Sequence, residues 1–71
     1  MAKYTISIDE EYAPHQRDFR EAYLSGAVSW KDGKARDENP YDSWGNITYL
    51  RQWYLGWDAA SKGIIKFKEI N

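Results

Sequence analysis

The chain has 71 residues, no cysteine, a single histidine and a net charge of −1, which suits one domain and excludes a disulfide framework, a thiolate metal site and a uniformly basic nucleic-acid surface. No run approaches the roughly 18 apolar residues of a membrane helix. The opening Met-Ala-Lys-Tyr-Thr-Ile-Ser-Ile is too short and polar for a signal peptide, so the expectation is a cytoplasmic protein without a membrane.

At this size a core rarely supplies more than roughly 3–5 kcal/mol. Reinforcement has to come from self-association or from the four Trp, six Tyr and two Phe, each of which buries on the order of 150–250 Å². Charge is uneven along the chain. Lys3, Arg17 and Arg20 face Asp9, Glu10, Glu11, Asp18 and Glu21 in the first thirty residues, whereas Arg51, Lys62, Lys66 and Lys68 outnumber Asp58 and Glu69 at the end.

Residues 3–8 alternate, with Tyr4, Ile6 and Ile8 on one side and Lys3, Thr5 and Ser7 on the other, the period of a strand. Asp9-Glu10-Glu11 leads into a helix expected over 13–30, with Pro14 in its first turn. Phe19, Ala22, Tyr23, Gly26, Ala27 and Trp30 form its apolar face, and Gly26 within that face implies close approach of another backbone. Residues 31–45 read as a connection, turn-like at Asp32-Gly33 and again at Asn39-Pro40. A second helix is expected over 46–62, capped by Asn46, with Ile47, Leu50, Trp53, Tyr54, Trp57 and Ala60 on its apolar face and Gly63 ending it in a left-handed cap. Residues 64–70 form a closing strand, with Ile65 and Phe67 opposite Lys66 and Lys68.

The order strand, helix, helix, strand implies an α+β fold: a two-helix antiparallel hairpin whose short terminal strands pair as an antiparallel ribbon. Such a ribbon is marginal alone, so it packs on the helices or pairs with a second copy. Lys66 and Lys68 would protect an edge.

The stretches Ala22-Tyr23-Leu24-Ser25-Gly26, Asn39-Pro40-Tyr41 and Arg51-Gln52-Trp53-Tyr54-Leu55-Gly56-Trp57-Asp58-Ala59 resemble the ribosome modulation factor family. Its small helical-hairpin members share an Ala/Gly-rich first helix, a Cys-Pro-Tyr-type turn and a second helix ending in Arg-x-x-Trp-x-x-Gly-Trp-x-x-Ala. The resemblance spans about residues 19 to 60. Asn39 stands where the family often has cysteine, one residue fewer separates Arg51 from Trp53, and the family's ribosome-binding members look strongly basic.

The resemblance implies a non-enzymatic protein that associates with the ribosome or its rRNA and modulates translation. In that reading Arg51, Lys62, Lys66 and Lys68 contact phosphate and Tyr41 or Trp44 supplies an aromatic surface. An alternative is a protein–protein regulator that keeps the fold without RNA binding, acting on a host regulatory protein or assembling as a homodimer through its strand edges. A related group is linked to fluoroquinolone resistance by drug phosphorylation, which implies a small-molecule or nucleotide-modifying protein. The chain has no phosphate loop, and neither a cofactor nor a resident metal is expected. Gly26, Pro40, Trp53, Gly56 and Trp57 read either as the packing seam of the two helices or, for the tryptophans, as a surface for a base or a partner.

Overall fold

Each terminal strand pairs with the other, and the two helices pack on one another between them. The computed structural model describes residues 3–8, 11, 13–41, 45 and 47–70. The elements are β1 (Lys3–Ser7), α1 (Arg17–Lys31), a 3-10 turn (Arg36–Glu38), α2 (Ile47–Ser61) and β2 (Lys66–Ile70). The fold is α+β, with β1 and β2 antiparallel in the register Ile6 opposite Phe67 and Ser7 opposite Lys66.

Both helices stop for the same physical reason. Gly33 and Gly63 adopt φ of 83° and 80°, a left-handed conformation that side chains resist. The amides that follow turn back to the last turn: Lys34 N–H donates to Ser29 O at 2.9 Å and Ile64 N–H to Ala59 O at 2.9 Å. These are the closures of a Schellman cap. The expected cap at Gly63 is therefore present.

The start of α1 differs from expectation. It begins at Arg17, not 13, and Pro14 lies outside it. Ala13 is buried and joins Ala27, Ala59, Ala60 and Ile65 in the core, so the segment before the helix gains more from covering the core than from extending the helix. The expected cap Asn46 lies outside the described residues. Ile47, assigned to the apolar face of α2, is 50% exposed. At 3.6 residues per turn it lies about a third of a turn away from Trp53, in line with Arg51 and Leu55.

The helices meet at two glycines. A Cβ on Gly26 would overlap the Trp53 carbonyl, and one on Gly56 would overlap the Tyr23 carbonyl. Each glycine thus seats against the backbone of an aromatic residue three positions before the other glycine. Trp53 is completely buried at this seam, and its indole N–H has no hydrogen-bond acceptor among the described residues. Such a donor costs about 1–3 kcal/mol, which the burial of so large a ring offsets.

The helices do not run antiparallel as expected: like ends lie together, because the long connection carries the chain back before α2 begins. Phe19 in the first turns of α1 meets Tyr49 in the first turn of α2, centroids 5.5 Å apart. At the other end Trp57 Nε1 donates to Lys34 O at 2.9 Å. The connection runs back along α2, touching it near Asp58, then Leu50, then Tyr49. The ribbon closes the core from the strand side, Phe67 stacking on Trp30 at 6.1 Å and meeting Tyr4 edge-on at 5.5 Å.

Candidate functional site

Two concave surfaces flank the helix pair. The first, of about 180 Å³, is lined by Tyr23, Leu55, Asp58, Ala59, Lys62 and Ile64. Its position follows from helical spacing. Arg51, Leu55 and Asp58 recur at intervals of three and four, so they share one stripe of α2, which Lys62 continues just past the helix end and which borders Tyr23 of α1. The Gly63 cap then turns the chain so that Ile64 stands beside the stripe. Leu55 is 48% and Ile64 38% exposed. The floor of the groove is apolar and its rim is charged.

Asp58 is already engaged. Arg36 Nε and one terminal nitrogen donate to its Oδ1 and Oδ2 at 2.8 and 3.0 Å, a bidentate pairing. The same guanidinium lies 4.3 Å from the Tyr54 ring centroid. The hydrogen bonds from Arg36, against some desolvation, hold the Asp58 carboxyl below the usual carboxylate range, with the Arg36 and Lys62 charges adding to that effect. The Asp58 carboxylate in turn raises the Arg36 guanidinium above its ordinary value, chiefly through those hydrogen bonds. Among the described residues that line the groove, Lys62 is thus the cation left on its rim.

The second surface, of about 300 Å³, is lined by Asp18, Glu21, Tyr41 and Tyr49. Tyr41 is placed by Asn39. The Asn39 Oδ1 accepts from Tyr41 N–H at 2.9 Å and its Nδ2 donates to Leu50 O at 3.0 Å. The first bond is an Asx turn, and the second ties that turn to α2. Tyr41 then stacks on Tyr49 at 5.8 Å and 27°.

The residues singled out in the sequence do not form one patch. Lys66 and Lys68 project from one side of β2, opposite Ser7 and Thr5. Arg51 and Lys62 share a stripe of α2 but stand eleven residues apart, about 16 Å along a helix rising 1.5 Å per residue. Tyr41 lies at the acidic surface, and Trp44 lies outside the described residues. Pro40 is exposed, while Gly26, Trp53 and Gly56 are buried in the seam and Trp57 is half-buried against Lys34.

Arg36 and Asn39 were not visible as key residues in the sequence. The Asn39-Pro40 dipeptide carried a turn signal for one of Asn39's bonds, but the Arg36–Asp58 pairing spans 22 residues and has no local signature. Among the described residues no helix is long and apolar enough to cross a membrane.

Compared with protein-family models, curated proteins and solved structures, the chain matches none.

Proposed function

We propose that this chain is a non-enzymatic binding protein that docks a protein partner in the groove where α2 borders Tyr23 of α1. The groove between Leu55 and Ile64 carries the reading. Two large aliphatic side chains at 48% and 38% exposure flank one concavity, and covering apolar surface is favourable by about 25 cal/mol per Å². Arg36 neutralises Asp58, so the rim offers the Lys62 ammonium to a carboxylate on the partner. Among the described residues that line the two grooves there is no Ser, Cys or His, and what the reading asks of both surfaces is recognition.

The test is a pull-down of the tagged protein at low and high salt, beside a Leu55→Glu variant. One protein retained at both salts and lost with Leu55→Glu supports the reading. Partner recovery unaffected by Leu55→Glu refutes it.

The ribosome- or rRNA-binding reading implied by the motif resemblance comes second. What favours it is the pairing of Lys66 and Lys68 with the hydroxyl residues Ser7 and Thr5 across the ribbon, a surface suited to phosphate. Its signature is rRNA that is recovered at low salt, released at high salt and lost on charge reversal at Lys66 and Lys68. The open edges of the ribbon also leave strand addition by a second copy available.

A further inference from the structure

We propose that the surface lined by Asp18, Glu21, Tyr41 and Tyr49 is a receptor for an arginine side chain presented by a partner protein. One wall is acidic: Asp18 and Glu21 lie three residues apart on α1 and so stand on one face. The other wall is aromatic, made by Tyr41 from the connection and Tyr49 from α2. A ring face attracts a cation, and a carboxylate accepts the planar N–H fork of a guanidinium, so the two walls select for the same group.

The aromatic wall is held in place before any partner arrives. Tyr49 is buttressed by Phe19 edge-on at 5.5 Å and by Tyr41 stacked at 5.8 Å. Tyr41 is fixed in turn by the Asn39 side chain, which bonds both its N–H and the Leu50 carbonyl. Recognition there needs little ordering.

The molecule uses the same chemistry on itself. Arg36 lies over Tyr54 at 4.3 Å while it forks onto Asp58. Tyrosine rings beside carboxylates recur at the second surface, where Arg17 lies 3.7 Å from Glu21 with both side chains largely exposed. An exposed pair of that kind is weak and readily exchanged. A volume of about 300 Å³ sits at the small end of the roughly 300–1,000 Å³ of ligand pockets, room for one side chain. Two carboxylates supply fewer than the six or more oxygens that a hard metal ion prefers. Phosphate is repelled by the carboxylates.

This site rests on the protein-binding reading only for the source of the arginine. It shares no lining residue with the Leu55 groove, and the two are separable by experiment. The ¹⁵N-labelled full chain is titrated with a tetra-arginine peptide, a tetra-lysine peptide and a tetra-glutamate peptide at low salt. The same titrations are run on Asp18→Asn/Glu21→Gln, a pair of near-isosteric changes at exposed positions whose fold is checked by circular dichroism. The expected result is saturable shifts at residues 18, 21, 41 and 49 with tetra-arginine, several-fold weaker binding of tetra-lysine, none of tetra-glutamate, and at least a tenfold loss of tetra-arginine affinity in the double variant. Shifts centred elsewhere, or unchanged affinity in the folded double variant, overturn the proposal. A Leu55→Glu variant that loses its protein partner yet keeps tetra-arginine binding supports this site independently of the groove, and one that loses tetra-arginine binding while folded overturns it.

Discussion

Replacing Gly56 by alanine sets two effects of known sign against each other. Alanine is favoured over glycine in a helix interior by about 1 kcal/mol, so on propensity alone the variant is more stable. The added Cβ, however, would overlap the Tyr23 carbonyl and crowd its carbonyl carbon. That neighbour is backbone inside α1, so no rotamer change relieves it and the helices must move apart. Overpacking of a core costs about 1–3 kcal/mol, sometimes more, and a clash with main chain belongs at the upper end. The net expectation is a loss of about 2 kcal/mol, a large share of the roughly 3–5 kcal/mol available at this size. With about 4–8 °C per kcal/mol for a domain this small, the melting midpoint should fall by around 10 °C. Gly26→Ala meets the Trp53 carbonyl at the same seam and should lose a similar amount. Once one methyl has separated the helices the second finds room, so the double variant should lose clearly less than the sum. Urea and thermal melts followed by circular dichroism measure all three, with Ser25→Ala on the exposed side of α1 as the propensity control. A Gly56→Ala variant as stable as the parent, or a strictly additive double variant, would refute the close-contact seam.

Two further outcomes concern the connection. Asn39→Ala removes both side-chain hydrogen bonds to Tyr41 and Leu50 and should cost about 2 kcal/mol in a urea melt, at roughly 0.5–1.5 kcal/mol per bond; Asn39→Asp keeps the acceptor for Tyr41 and should lose only part of it. Arg36 holds the Asp58 carboxyl below its ordinary range, so in that range the folded state binds fewer protons than the unfolded one. The stabilisation is then complete above the unfolded value of about 3.9 and is lost as pH falls through the lower folded value. Between neutral pH and about pH 2.5, Asp58→Asn should lose less stability than the parent; parallel pH profiles would show that this pairing contributes nothing.

The order of elements was legible because strand and helix periods are local. Alternation in 3–8 and 64–70, the apolar spacing of Phe19 to Trp30 and the glycine after Lys62 each announce an element within a few residues. What the sequence did not carry was set by distant neighbours. Residue 13 was expected to open a helix, yet Ala13 instead joins the buried cluster that holds Ala59, Ala60 and Ile65. Gly26 and Gly56 read as part of a packing seam, and the seam forms there, but what each glycine meets, the carbonyl of an aromatic residue on the other helix, is set by the packing. The connection read only as a run of turns, whereas within it Arg36 reaches Asp58 and the carbonyl of Lys34 receives the Trp57 indole. The acidic surface was illegible for the same reason, since its four residues come from α1, the connection and α2.

The net charge of −1 conceals an ordered distribution. Asp18 and Glu21 stand where the first turns of the helices meet, while Lys62, Lys66 and Lys68 follow the last turn of α2. A nucleic acid carries one sign along its length, so it gains at the lysine end and meets at the other only the mixed charges of Arg17, Asp18, Arg20 and Glu21. A protein surface can complement both ends and also cover the apolar groove that lies along α2. Electrostatic complementarity of that kind acts mainly on orientation and on-rate, and the buried apolar contact on residence. Added salt should therefore slow association of the partner while leaving its dissociation nearly unchanged, whereas removing the Leu55 side chain should do the reverse.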